Sequence, residues 1–188
     1  MEIEVELNEF VGYENTESKS KIYQVETYDD KFIIFTEENP FYFEAGGQIS
    51  DKGVITIDDT SIEVIDVFQA SNGATGLIVD SDIFKVDQEV ELSVNKSFRS
   101  GVSKSHTGAH IVHSALRNIL GDHVAQAGSN VTPGKFRFDF SHTEKVSQEE
   151  LDEIFALSNS AVFEDYEVNT NIMNCLLYTS PSPRDGLL

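Results

Sequence analysis

The sequence predicts an α+β fold, in which a run of short antiparallel strands leads into a unit that mixes helices and strands. Three observations carry this. The first half is rich in β-branched and aromatic residues cut by regular turn signals. A helical apolar stripe begins after residue 105, and a helix-start signal stands at 147–150. With 188 residues, the chain has room for one domain or two small ones.

Taken in order, strands are predicted over residues 22–26, 31–36, 53–58, 61–67, 75–79 and 88–94. Glu89-Val90-Glu91-Leu92-Ser93-Val94 shows the two-residue alternation of a half-buried strand. Asp29-Asp30, Asp51-Lys52-Gly53, Asp58-Asp59 and Asn72-Gly73 punctuate them as turns. Short strands at this spacing suit a small barrel or sandwich. Between them lies Asn39-Pro40-Phe41-Tyr42-Phe43-Glu44-Ala45-Gly46-Gly47-Gln48. Paired glycines after aromatics suit a backbone that approaches something closely, and an ordinary turn fits the same residues.

Residues 106–120 place Ala109, Val112, Leu116, Ile119 and Leu120 on one helical stripe, closed by Gly121. Strands over 124–131 and 136–140 flank the turn Thr132-Pro133-Gly134. Ser147-Gln148-Glu149-Glu150 is a capping box opening a second helix, with Leu151, Ile154, Phe155 and Leu157 on one face. A last strand is predicted over 166–172. The domain division falls near Asn95: a β domain over 1–95, an α+β unit over 96–174, and a tail over 175–188.

Charge is unevenly distributed. Thirteen basic against 33 acidic residues give −20, which excludes a generally basic nucleic-acid-coating protein. Yet residues 96–137 hold six basic residues and one acidic residue, Asp122, and all five histidines lie in or just after this stretch. A basic, histidine-rich segment on an acidic body points to a local anionic partner. No apolar run approaches the ~18 residues of a membrane span. The alternating start Met1-Glu2-Ile3-Glu4-Val5-Glu6 lacks the blocks of a signal peptide, so a cytoplasmic location is expected. A single cysteine, Cys175, excludes an intramolecular disulfide.

His106 and His110 stand at i and i+4, one turn apart on one helix face. Two such imidazoles can share a metal ion, zinc above all, but the bare five-residue match by itself favours two satisfied helix histidines. No glutamate follows the first, unlike the zinc-protease pattern. Any further ligand must come from elsewhere in the fold; His113, His123, His142 and Cys175 are the soft candidates.

The run Ser105-His106-Thr107-Gly108-Ala109-His110-Ile111-Val112-His113-Ser114-Ala115-Leu116-Arg117-Asn118-Ile119-Leu120-Gly121 resembles the editing domain of bacterial alanyl-tRNA synthetases. So do Gln126-Ala127-Gly128-Ser129, Arg137-Phe138-Asp139-Phe140-Ser141-His142 and the loop from Pro40 to Gln48. Phe10-Val11-Gly12-Tyr13 and Asn169-Thr170-Asn171-Ile172-Met173 match the opening and close of this region. The resemblance implies a small antiparallel β-barrel followed by a truncated α+β editing domain with its HxxxH motif. It implies a fragment of a multidomain ligase that attaches alanine to tRNA(Ala). ATP and Mg2+ would act only in the missing catalytic domain. The editing region of such enzymes hydrolyses Ser-tRNA(Ala) and Gly-tRNA(Ala). A second hydrolytic site is needed because a size filter cannot reject glycine and rejects serine poorly.

Carried over residue by residue, the resemblance makes His106 and His110 the first pair of Zn2+ ligands. The other pair is a downstream CxxxH that this chain does not reach, and the fragment alone is expected to be inactive. Gln126 matches a glutamine of the editing pocket. Asn39, Gly46, Gly47 and Gln48 become the substrate-binding loop, with Asn39 standing where the family has a threonine associated with reading the serine hydroxyl. Ala127 stands where it often has a long polar residue. Lys96, Arg99, Lys104, Lys135 and Arg137 are expected to face tRNA. Partners implied are tRNA(Ala) and the remainder of the synthetase chain, without DNA or a membrane. A free-standing alanyl-tRNA deacylase and a non-catalytic tRNA-binding module are the alternatives. The tail from Cys175 resembles the translation of a sequencing adapter, which would make its cysteine non-native and leave the tail packed against nothing.

Overall fold

The computed structural model describes residues 3–168. Two helices and mostly antiparallel sheets give a mixed α/β architecture consistent with the α+β expectation. Strands β1 (Glu9–Phe10), β2 (Glu17–Tyr28), β3 (Lys31–Thr36), β4 (Glu38–Asn39), β5 (Gly53–Ile57), β6 (Thr60–Val64), β7 (Asp66–Gln69), β8 (Thr75–Val79) and β9 (Glu89–Val94) come first. Helix α1 (Lys96–Leu120), the hairpin β10 (Gln126–Thr132) and β11 (Lys135–Phe140), and helix α2 (Gln148–Phe163) follow.

Seven strands form one sheet in the order β6-β5-β9-β2-β3-β8-β7, and β1 pairs parallel with β4 at its margin. Strand β2 serves two partners. Its polar start, Glu17 to Lys21, pairs with β9, and its apolar remainder pairs with β3. A register shift between Ile22 and Gln24 bends the strand where the partners change. The predicted strand over 61–67 is in fact two strands at opposite edges of the sheet. A single residue, Ile65, separates them, and its N–H donates to the carbonyl of Ile78 at 2.8 Å. The single residue between them brings these two edges close together at this point.

Alternation along the strands makes the core. Ile34, Ile55, Val64, Leu77, Val90 and Leu92 point to one side with Ile22 and Phe41. Ile33 and Phe35 point to the other, where Ile3 covers them. Hairpin turns follow the predicted signals. Asp58 and Asp59 both adopt positive φ (45° and 66°) between the paired residues Ile57 and Thr60, as a type I′ turn requires.

Helix α1 begins ten residues earlier than its apolar stripe predicts. Asn95 caps it by accepting from the Phe98 N–H at 3.0 Å. The added turns contain Ser97, Ser100, Gly101 and Ser103, which are poor interior helix formers. Tertiary contact overrides that weakness: a Cβ at Gly101 would lie 3.0 Å from Pro133 Cβ in the β10–β11 turn. Ala115 and Leu116 of α1 pack with Val124 and with Ile154 of α2. The Ser147 capping box forms as predicted. Residues 166–168, the start of the last predicted strand, carry no strand assignment. The remainder of that strand, the 169–173 motif and the tail from Cys175 lie outside the described residues. Among the described residues, no helix is long and apolar enough to cross a membrane.

Among the described residues, one buried ion pair ties the sheet to the helical half. Arg99, in the first turn of α1, is 14% exposed and its partner Asp51 is 1% exposed. The guanidinium Nε lies 2.9 Å from both carboxylate oxygens, and its other nitrogens donate to Asp51 Oδ2 and to the carbonyls of Pro40 and Gly12. Asp51 also accepts the Tyr42 N–H at 2.7 Å. Removing either partner leaves a buried charge uncompensated. Arg99→Ala and Asp51→Ala should therefore each lower unfolding stability by about 3 kcal/mol, and the double variant should cost far less than the sum. Urea titration of the three variants checks this; additive losses would mean that the two charges do not act as a pair.

The capping box gives a pH signature. Glu150 is held below its ordinary value of 4.5 by hydrogen bonds from the Ser147 N–H and hydroxyl. A depressed folded value stabilises the native state above about 4.5 and loses that stabilisation as pH falls through the folded value. Glu150→Gln should flatten this part of the acid limb in a stability profile between pH 3 and 6.

Candidate functional site

The site is built where the Ala45–Gln48 turn meets α1 and β10. Ala45 and Gln48 exchange backbone hydrogen bonds at 3.1 and 3.0 Å. Gly46 and Gly47 fill the two central positions at φ 61° and 80°. Positive φ at both centres is the type I′ condition, which glycine meets without strain. The sequence left open an ordinary turn or a close approach, and the structure contains both. A Cβ at Gly47 would collide with Ser129 Oγ and come within 2.8 Å of the Ser129 carbonyl. A Cβ at Gly46 would stand 3.5 Å from Cε1 and 3.7 Å from Nε2 of His106.

Backbone bonds fasten this turn to the second half. The Val131 N–H donates to the Gly47 carbonyl at 2.7 Å, and the Ile49 N–H donates to the Val131 carbonyl at 3.3 Å. Gln48 and Val131 form a parallel bridge. Strand β10 therefore continues, across the chain's midpoint, the pairing that the turn begins.

On α1, His106 and His110 lie one above the other, with ring centroids 5.2 Å apart and planes 21° from parallel. His106 is half-buried and His110 is exposed. Burial pulls the His106 pKa below its ordinary 6.5, so the ring is neutral at pH 7. Its Nδ1 lies 2.9 Å from Oε1 of Gln48, which is 5% exposed. Gln126 donates from Nε2 to Ser129 Oγ at 3.0 Å, and that hydroxyl reaches the Gly46 carbonyl at 3.4 Å. Gly46, Gly47, Gln48, His106 and Gln126 thus form one connected group, with His110 beside His106.

Other expected residues are placed elsewhere. Asn39 is fully buried, and its amide donates to Thr75 Oγ1 at 2.8 Å and accepts the Phe41 N–H at 2.9 Å. It anchors the segment leading into the turn from within the sheet. Among the described residues, His113, His123 and His142 do not join His106 and His110. His113 packs on the Phe138 ring at 4.9 Å, and His123 pairs with His142, Nε2 to Nδ1, at 2.8 Å. Cys175 lies outside the described residues. Among the described residues, no three His, Cys, Asp or Glu side chains converge to hold a metal ion.

The cationic residues divide. Lys96, Lys104, Lys135 and Arg137 are exposed, with Lys96 paired to Glu17 at 2.7 Å and Arg137 to Asp139 at 3.1 Å. Exposed pairs of this kind hold their charges weakly and leave them available. Arg99, expected to point outward with them, points inward to Asp51 instead. Its sequence neighbours gave no sign of this, because Asp51 lies 48 residues away. Gln48 likewise stood out only as part of a loop, although its side chain makes the direct contact with His106.

Residues 2–98 match the family model for tRNA synthetases class II (A). An alanine–tRNA ligase of Lysinibacillus sphaericus is 40% identical over 172 residues, covering 86% of this chain and 19% of that protein. Those of Caldicellulosiruptor saccharolyticus and Oceanobacillus iheyensis are 37% and 38% identical, covering 81% and 85% of this chain and 19% of each relative. The chain therefore spans about a fifth of the length of these relatives.

The turn's fit against β10 is directly testable. Gly47→Ala places a side chain at positive φ and against Ser129, which should cost about 2 kcal/mol from the backbone alone. Amide shifts of Ser129 and Val131 should move with it. Unchanged shifts and stability would show that the turn is not seated on β10.

Proposed function

The chain belongs to the class II (A) tRNA synthetase family, and from that membership we propose that it is the barrel and partial editing region of an alanine–tRNA ligase. The parent enzyme would attach alanine to tRNA(Ala) with ATP and Mg2+ in a domain outside this segment, in the cytoplasm. This segment would serve the hydrolysis of Ser-tRNA(Ala) and Gly-tRNA(Ala). The curled seven-stranded sheet is read as the barrel of residues 1–95, and residues 96–174 as the editing unit. The observation that carries the reading is the stacked His106–His110 pair seated against the Gly46-Gly47 turn.

The donor set suits zinc in part. Two imidazoles one helical turn apart supply nitrogen ligands, and a Cβ at position 46 would stand in contact with the Cε1–Nε2 edge of His106. The remaining ligands would come from the CxxxH segment that the resemblance implies downstream. Bound zinc would polarise an ester carbonyl or supply an activated water. His106 and His110 would hold the metal at the mouth of the turn. Gly46 and Gly47 would let the aminoacyl end approach the backbone closely, and Gln126, fixed by Ser129, would hydrogen-bond the aminoacyl group or terminal ribose. Gln48 would shape this site from behind the turn, and Asn39 would act only through the segment that it anchors. Lys104 and Lys135, three residues after Gly101 and two after Pro133, whose backbones approach closely, would meet phosphates together with Lys96 and Arg137.

The test uses a longer chain that includes the downstream segment. It should bind zinc and deacylate Ser-tRNA(Ala), and His106→Ala with His110→Ala should abolish both. The 188-residue chain alone should be inactive; zinc-dependent hydrolysis by it would overturn the proposed ligand set.

Electrostatic contact with tRNA is separately testable. Lys104→Ala with Lys135→Ala should weaken tRNA binding by the longer chain and lower the slope of log affinity against log salt by about 1 to 2. An unchanged slope would remove this surface from the account.

A further inference from the structure

We propose that Gln48 is a positioning residue that fixes His106 as the Nδ1–H tautomer and so presents a bare Nε2 at the Gly46 side of the site. A neutral imidazole carries one N–H and one lone pair, and the partner of one nitrogen decides which nitrogen is which. The side-chain carbonyl of Gln48 can only accept. At 2.9 Å from it, His106 Nδ1 must donate, and Nε2 is left with the lone pair.

The carbonyl is held in place by its backbone. Gln48 closes the type I′ turn through two hydrogen bonds with Ala45, and its bridge to Val131 fixes the same residue to β10. At 5% exposure it meets little competition from water. The turn therefore does two things to one ring. Gln48 engages Nδ1, and Gly46, lacking a Cβ, leaves the Cε1–Nε2 edge open. Free histidine side chains favour the opposite tautomer, with hydrogen on Nε2, so this contact reverses an intrinsic preference. For its purpose the inference rests on the proposed metal-ligand role of His106, since metal-bound imidazoles commonly donate their second N–H to a fixed acceptor. Its structural content stands apart from that role.

The experiment is a long-range 1H–15N correlation spectrum of the 15N-labelled 188-residue chain at pH 8 after chelator treatment. His106 should show a protonated Nδ1 and an unprotonated Nε2. Gln48→Glu, which keeps an acceptor, should retain that pattern. Gln48→Leu should shift His106 toward the Nε2–H form and weaken the response of the His106 resonances to zinc alone by about tenfold. An Nε2–H tautomer in the parent chain, or an unchanged Nδ1–H tautomer in Gln48→Leu, would overturn the proposal. Should the Leu variant not fold, the parent and Gln48→Glu spectra still decide it. If the tautomers behave as stated while zinc perturbs no His106 signal in any form, the positioning role stands and the metal reading of the site falls.

Discussion

The molecule depends on one buried ion pair between its halves. Arg99 leaves the first turn of α1 and reaches Asp51, with the carbonyls of Gly12 and Pro40 taking its remaining donors. Asp51 in turn accepts from Tyr42, two residues beyond Pro40 and three before Ala45. The pair thus fixes both ends of the segment that carries the glycine turn. Burial makes its geometry exacting, because a charge taken from water must find nearly all its partners within the protein. Helix α1 is consequently aimed so that its third and fourth turns carry His106 and His110, with His106 set against Gly46 and Gln48.

A second fastening repeats the constraint on the other side of the turn. Val131 of β10 both donates to Gly47 and accepts from Ile49, so the turn is gripped by backbone as well as by charge. The result is a site assembled from a sheet, a helix and a hairpin, none of which holds it alone. Chemistry that needs two imidazoles, a glutamine and an open backbone at fixed separation gains from such support, because loops alone would place them less firmly. The exposed lysines stand apart from this framework and can serve an anionic partner without disturbing it.

The local patterns were legible where local physics decides. β-Branched and aromatic residues placed β3 and β8 to the residue, Asp58-Asp59 marked a turn whose φ values match, and the Ser147 box opened α2. Patterns failed where the partner is distant. Glu17 to Lys21 is too polar to read as a strand and is held by pairing with β9, including Lys19 against Glu91 at 2.6 Å. The break at Ile65 follows from the pairing of its two sides with strands at opposite edges of the sheet, which no window of a few residues contains. The first ten residues of α1 look unhelical until Asn95, Arg99 and Pro133 are seen together. In the site, the spacing of His106 and His110 pointed to a shared face, but the side chain touching His106 lies 58 residues away in Gln48.

The central claim is that the glycine turn is seated on His106 in the free chain, before any ligand arrives. A nuclear Overhauser spectrum of the 188-residue protein tests it most directly, through the cross-peak between the His106 Hε1 and the Gly46 α protons. The account predicts a strong cross-peak, since a Cβ at Gly46 would lie 3.5 Å from His106 Cε1. Its absence, with separate tumbling of residues 3–94 and 96–168, would contradict the account.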